Sequence, residues 1–453
     1  VFKKGPDYID AGWLGLAAAG ACYNLDSYLF DAETVTRSFV TRAGNKDIAI
    51  VEGNRGLFDG VDAAGSFSTA EMAKLLHAPV VLILDVTKVT RTAAALVVGC
   101  KGLDPHLDLR AVILNRVGGS RHEQVVRESV EAATGIPVVG SIRKLQLRDF
   151  PQRHLGLLPL QEHPGAMDFI AHAARLAEES IDLERIRELA ASAPPLPVDA
   201  DSSLSEAVQD YPAPSVRIGV IRDSAFQFYY PENLEALQQK GAELVFVSAL
   251  EESDFPEVDA LYIGGGFPET HAARLAGNRS FRESLLGAVR NGLPVYAECG
   301  GLMYLSRHLC MDAETYPMVG VFPIDTVLQR KPQGLGYIRV EVRAENPFYP
   351  RGTILTGHEF HYSAVSGLDE AGTATAFRVL RGHGVDGVRD GICVLNALGT
   401  YVHVHALGEP LWAEGLVRKA REYRNLRPSG ERPCHGCTMD RSVPQPKAWE
   451  ANR

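Results

Sequence analysis

The sequence predicts an α/β protein made of two doubly wound parallel-sheet units, and three observations carry that prediction. Strand-sized apolar runs alternate with helix-spaced stretches through residues 1–190. A stretch rich in Pro, Ser and Asp follows at residues 191–214, and the alternation then restarts over residues 215–427. Alternation of this kind builds βαβ units, whose strands run parallel. The Pro-rich stretch reads as a linker. Residues 428–453, rich in Pro, Arg and Ser, read as a tail.

In the first unit, Val1–Asp10 reads as a strand and loop. Asp47–Glu52 ends in the glycine-rich segment Gly53–Gly60, and Ser68–Leu76 has helical spacing. Pro79–Asp85 is a continuous apolar run, expected of a strand buried on both faces. Leu109–Asn115 and Ile136–Ile142 are two further strands. In the second unit, Val216–Ile221 is a strand. Pro231–Lys240 is a short helix with proline in its first turn and Gly241 as its stop. Glu243–Val247 and Ala260–Ile263 are the next strands.

Composition narrows the function. Of 453 residues, 56 are acidic and 46 basic, a net charge of −10 that argues against broad nucleic-acid or membrane-surface binding. No apolar run approaches the ~18 residues of a spanning helix, and no secretory leader is recognisable. Seven scattered cysteines suit a reduced cytoplasm better than a disulfide framework.

The sharpest chemical signal is Pro294-Val295-Tyr296-Ala297-Glu298-Cys299-Gly300-Gly301. A strand runs into Cys299, and two glycines and a helical pattern follow. Such a turn lies at the C-terminal edge of the sheet, where doubly wound folds bind ligands. The helix N-terminus behind the sulfur is expected to favour the thiolate, and Gly300 is expected to take up the strain and offer an N–H to an oxyanion. Gly264-Gly265-Gly266 follows another strand end and could supply the second donor. Tyr401-Val402-His403-Val404-His405 reads as a strand with both histidines on one face, so one of them could act as base. Cys434-His435-Gly436-Cys437 in the tail is a weak metal pattern.

These residues resemble the cobyrinic acid a,c-diamide synthase family, whose members carry a class I glutamine amidotransferase domain. The second unit matches in Phe228-Tyr229-Tyr230-Pro231-Glu232-Asn233-Leu234, Tyr262–Glu269, Tyr296–Leu305, Gly357–Ser363 and Gly399–His405. The resemblance implies Cys299 as the nucleophile that takes ammonia from glutamine, with His403 raising its nucleophilicity and Gly266 and Gly300 as the oxyanion hole. Many class I glutaminases carry His-x-Glu where this chain has His-x-His, so a third carboxylate is not identifiable.

The first unit is similar to the family's synthetase domain, a P-loop-NTPase-like, dethiobiotin-synthetase-like fold. It matches in Gly5-Pro6-Asp7-Tyr8-Ile9-Asp10, Asn24-Leu25-Asp26, Glu52–Gly60, Ser68–Glu71 and Asn115-Arg116-Val117. This implies ATP as substrate and magnesium as cofactor. Asp7 and Glu52 are the implied magnesium ligands, and Asn115 the nucleotide contact. Asp7, Tyr8, Ile9, Asp10 and Asp59 are the implied substrate contacts, with Lys3, Lys4 and Arg55 as candidates for a basic patch facing the many carboxylates of the macrocycle. No GxxxxGK[ST] phosphate loop occurs in the sequence. With Val1 as first residue, the strand, loop and helix that would hold it are expected upstream. The implied reaction is ATP- and glutamine-dependent amidation of the a and c acetate carboxylates of cobyrinate, through an acyl phosphate, in the cytoplasm. Neither nucleic acid nor membrane is an expected partner, and a homodimer is compatible with the pattern. Hydrogenobyrinate and nickel sirohydrochlorin are alternative substrates for the same chemistry. A non-catalytic nucleotide- or tetrapyrrole-binding protein is the alternative of another class.

Overall fold

The computed structural model describes residues 1–44, 46–145, 152–153, 156–163, 165–196, 212–368 and 372–426. Most of the expected linker and the Cys434–Cys437 pattern lie outside these residues.

Within the second half, ten strands form one sheet. Its first five, Ala242–Val247, Val216–Ile221, Ala260–Ile263, Val295–Glu298 and Ala397–Thr400, pair parallel in that spatial order. Apolar side chains alternate along them, as the period of two requires. Leu261, Ile263, Val295 and Ala297 face a core with Phe281, Leu285 and Leu302. Ala260, Tyr262 and Tyr296 face the opposite core, with Trp412 and Leu416 of the helix Pro410–Leu426. The sheet continues antiparallel through Arg389–Val394, Ala374–Arg381, Gly334–Val342 and Ile354–His361 to the two-residue strand His403–Val404. Thr400 ends a central strand, yet His403 begins the edge strand, so the sheet curls until its edge meets its own middle. Val404 N–H donates to Glu298 at 3.3 Å across that closure.

The Pro231 helix forms over Pro231–Gln239 with proline in its first turn. It stops as expected because Gly241 sits at φ +89°.

The first half is also parallel α/β, but among the described residues its six principal strands form two separate three-stranded sheets. One is ordered Tyr23–Leu25, Phe2–Lys4, Val51–Glu52; the other is ordered Val80–Asp85, Leu109–Val117, Val138–Arg143. The expectation that Pro79–Asp85 is buried on both faces is corrected: Val80–Asp85 is an edge strand, and Ile83 is 63% exposed. A run of apolar residues records what a strand could bury, whereas burial depends on which neighbour covers it. Of Asp47–Glu52, only Val51 and Glu52 pair as strand.

The halves meet closely. Arg42 and Tyr23 both reach Glu235, at 2.6 and 2.8 Å. Tyr337 donates to the buried Asp26 at 2.8 Å, and the Asn24 N–H donates to Glu232 at 3.2 Å. Among the described residues no helix is long and apolar enough to cross a membrane.

Candidate functional site

The strand Val295–Glu298 delivers Cys299 onto a sharp turn at the start of the helix Gly300–Leu305. Cys299 takes φ 47° and ψ −100°, a conformation that L-residues avoid. The strain therefore sits on Cys299 itself rather than on Gly300, as the sequence had suggested. It is held there from both sides: Cys299 N–H donates to Thr400 at 2.8 Å, and Met303 N–H donates to Cys299 at 3.0 Å. The thiol donates to the Phe360 carbonyl at 3.7 Å.

The expectation of a thiolate is also corrected. Burial raises the Cys299 pKa, and the carboxylates of Glu269, Glu298 and Glu359 add to the rise, against a hydrogen bond from Gly300. Cys299 is only 6% exposed, so the loss of water outweighs the helix N-terminus. Burial thus works against the thiolate, and a thiol in this setting needs a base to attack.

The glycine turn lies against this elbow. A Cβ on Gly300 would sit 3.1 Å from the Gly266 nitrogen, so Gly266 and Gly300 lie backbone to backbone. A Cβ on Gly266 would sit 2.0 Å from the Ala225 carbonyl oxygen, which leaves room for no side chain there. A Cβ on Gly265 would sit 2.6 Å from His403 Cε1 and 3.4 Å from its Nε2. The same turn thus borders Cys299 on one side and His403 on the other.

His403 begins the edge strand and His405 lies one residue past its end, and the two rings take different carboxyl neighbours. His403 Nδ1 faces Glu298 at 3.5 Å, whereas His405 Nε2 faces Glu232 at 3.7 Å and its ring lies 4.8 Å from Phe30. Sequence reasoning missed both carboxyl groups. It also missed His358, which stacks on His403 at 4.7 Å with 18° between ring planes. Burial drives the His358 pKa well below the usual range, with His403 and His405 adding to the effect.

Tyr8 is placed where no first-half motif could show it. Its ring stacks on Phe228 at 5.2 Å and lies 4.5 Å from Tyr230, 5.5 Å from His358 and 5.7 Å from His403. It faces the second half, against the rings of Phe228, Tyr230, His358 and His403. Two bonds from Asn24 Nδ2, to the Gly5 and Asp7 carbonyls at 2.9 Å each, fix the loop that carries it.

Asp7, Asp10 and Glu52 do converge, but on Lys3. Its Nζ lies 2.9 Å from Asp10, 3.0 Å from Glu52 and 4.0 Å from Asp7. Burial lowers the Lys3 pKa, yet Glu52, Asp10 and Asp7 outweigh it and the net shift is upward. Asp7 is raised by burial first and by Asp10 second, against Lys3. Among the described residues no group of three His, Cys, Asp or Glu is arranged to hold an ion. Asp7 and Glu52 therefore do not fit as a magnesium site: an ammonium already stands at their focus. Lys3 and Lys4 are buried, which removes them as a basic patch, while Arg55 and Asp59 are exposed on the glycine loop. Ile9 opens the helix Ile9–Ala17, and Asn115 lies in the strand Leu109–Val117 beside Asp85.

Residues 217–411 match the sequence model of a family described as CobB/CobQ-like glutamine amidotransferase domain. Residues 28–152 match one described as AAA domain. The chain is 43% identical over 422 residues to a cobyrinate a,c-diamide synthase of Magnetococcus marinus, an overlap of 93% of this chain and 90% of that protein. Over 420 residues it is 42% identical to that of Archaeoglobus fulgidus, covering 92% of this chain and 90% of the relative. Over 429 residues it is 39% identical to that of Dehalococcoides mccartyi, covering 93% and 91%.

Proposed function

Because this chain belongs to the family of cobyrinate a,c-diamide synthases, we propose that it amidates the a and c acetate carboxylates of cobyrinate in the cytoplasm, with ATP activating the carboxylate and glutamine supplying ammonia. A carboxylate is a poor electrophile. Transfer of the ATP γ-phosphoryl group to its oxygen makes an acyl phosphate, which ammonia converts to the amide with release of phosphate. The match of residues 28–152 to a nucleotide-binding domain supports the ATP half of this reading. Asn115, in the strand Leu109–Val117, is the proposed base contact, and Asp10 and Asp59 are proposed substrate contacts. Magnesium is expected with ATP as its counter-ion, and no residue of this chain is assigned to it.

The observation that carries the glutaminase half is Cys299 in its left-handed conformation, with Gly266 and Gly300 back to back beside it. His403 takes the Sγ proton, because a buried thiol does not ionise unaided. Sγ then attacks the glutamine side-chain carbonyl carbon. The oxyanion accepts from the Gly266 and Gly300 N–H groups. The nitrogen leaves as ammonia with the proton returned from His403, and water hydrolyses the thioester to glutamate. The resting bond from the thiol to Phe360 must be given up first, which suits an enzyme that should not waste glutamine.

Cys299→Ser tests this. Glutamate release from glutamine should vanish, while amidation of cobyrinate by added ammonium salts continues. Glutamate release that persists in the variant refutes the assignment.

A further inference from the structure

We infer that Glu298 is the positioning residue for His403, holding its Nδ1 so that Nε2 is the basic nitrogen. The inference rests on the reading of Cys299 and His403 as the glutaminase pair.

Glu298 is wholly buried and His403 is 2% exposed. Both carboxyl oxygens are fixed. Oε2 accepts from Tyr262 Oη at 3.0 Å, and Oε1 accepts from the Val404 N–H at 3.3 Å. The second bond comes from the residue next to His403, so the carboxyl and the imidazole are held in one register. His403 Nδ1 lies 3.5 Å from Oε2 and is a buried nitrogen with no hydrogen-bond partner among the described residues. A slight rotation of the ring closes that gap. A carboxylate buried beside neutral donors alone is costly unless a cation forms near it. His403 becomes that cation when it takes the thiol proton, so the pair carries no net charge at the step that matters.

The remaining geometry agrees. With Nδ1 turned to Glu298, Nε2 is the nitrogen on the side of Gly265, and that turn continues through Gly266 to the Cys299 elbow. His358, stacked at 4.7 Å, blocks the ring from tumbling. A proton on Nδ1 that donates to a carboxylate leaves a lone pair on Nε2. Glu298 precedes Cys299 in sequence and follows the alternation of its strand. It therefore lies on the Tyr262 side of the sheet while Cys299 packs with Ala297. One strand thus supplies the nucleophile on one face and the carboxyl partner of its base on the other.

The test is a double-mutant cycle on glutamate release by the full chain, with Glu298→Gln, His403→Ala and the double variant. Glu298→Gln should lower kcat on the order of 10²-fold with little change in KM. In the His403→Ala background it should cost nothing further, because a residue that acts through histidine has nothing left to act on. The same cost in both backgrounds, or a change confined to KM, overturns the inference. If Glu298→Gln does not fold, Tyr262→Phe removes one anchor of the same carboxyl group. It should lower kcat by about 3–10-fold in wild type and not at all in His403→Ala. If glutamine turnover is too slow to cycle, the rate of Cys299 alkylation by iodoacetamide, read by peptide mass, should show the same pattern. Glutamate release that survives Cys299→Ser would instead refute the glutaminase pair itself.

Discussion

Alanine at position 265 should disable the glutaminase while leaving the protein folded. The Cβ would lie 2.6 Å from His403 Cε1 and 3.3 Å from Phe228 Cδ2. Carbon atoms settle at about 3.5–4.0 Å, so the imidazole must withdraw by roughly 1 Å. Little space receives it: His358 is stacked behind at 4.7 Å, Tyr8 lies at 5.7 Å and Glu298 at 3.5 Å. Overpacking of this kind costs about 1–3 kcal/mol of stability. A catalytic group displaced by about 1 Å costs on the order of 10²-fold in rate. The assay is glutamate release, paired with a thermal melt. Gly99→Ala is the control, since nothing among the described residues lies within 4 Å of a Cβ there, inside the helix Thr92–Leu103. It should stabilise by about 0.5–1 kcal/mol and leave turnover unchanged. A Gly265→Ala protein that hydrolyses glutamine within about threefold of wild type would refute the placement of His403 beside the glycine turn as functional.

Three further outcomes are expected. His403→Ala should reduce glutamate release by about 10²–10⁴-fold, whereas His405→Ala, which faces Glu232, should do less; the reverse order in steady-state kinetics would exchange their roles. Asp390 is wholly buried, and burial pushes its carboxyl up to about 7. The native chain therefore holds a proton that the unfolded chain has already lost, so stability falls between about pH 4 and pH 7 and levels above. Asp390→Asn removes this term, worth on the order of 4 kcal/mol at most. The stability of wild type relative to the variant should decline across that window in melts at stepped pH, and a constant difference would contradict the burial argument. Arg42→Ala, which breaks the half-buried pair with Glu235, should cost roughly 1–2 kcal/mol by denaturant titration.

The sharp turn at Cys299 was legible in the sequence because every part of it is local. A strand, a cysteine, two glycines and a helix occupy one stretch from Pro294 to Leu305, and each constrains the next. The Pro231 helix was legible for the same reason, with its start and stop written beside it. The carboxyl partner of His403 was not. Glu298 and His403 are far apart in the chain and meet only because the ten-stranded sheet curls its edge back over its middle, which no local pattern records. The state of the Cys299 thiol was misread because a helix N-terminus is visible in sequence while burial is not. The carboxylates Asp7 and Glu52 were rightly grouped by motif order, but their common neighbour, Lys3, was read as a surface charge because nothing in the pattern around it marks it as buried.

Tyr8 has a practical consequence for anyone who recombines these proteins. Its ring packs on Phe228 and beside Tyr230 and both stacked histidines, although every other member of that cluster comes from beyond residue 212. A hybrid that takes residues 215–427 from one relative and the preceding segment from another inherits a seam through the middle of an aromatic cluster, next to His403. Compatibility of such hybrids should therefore be decided less by the Pro-rich junction than by the fit of one tyrosine from the opening loop into the partner's rings. The sequence to hold constant during such swaps is Gly5–Asp10 together with Phe228–Glu232.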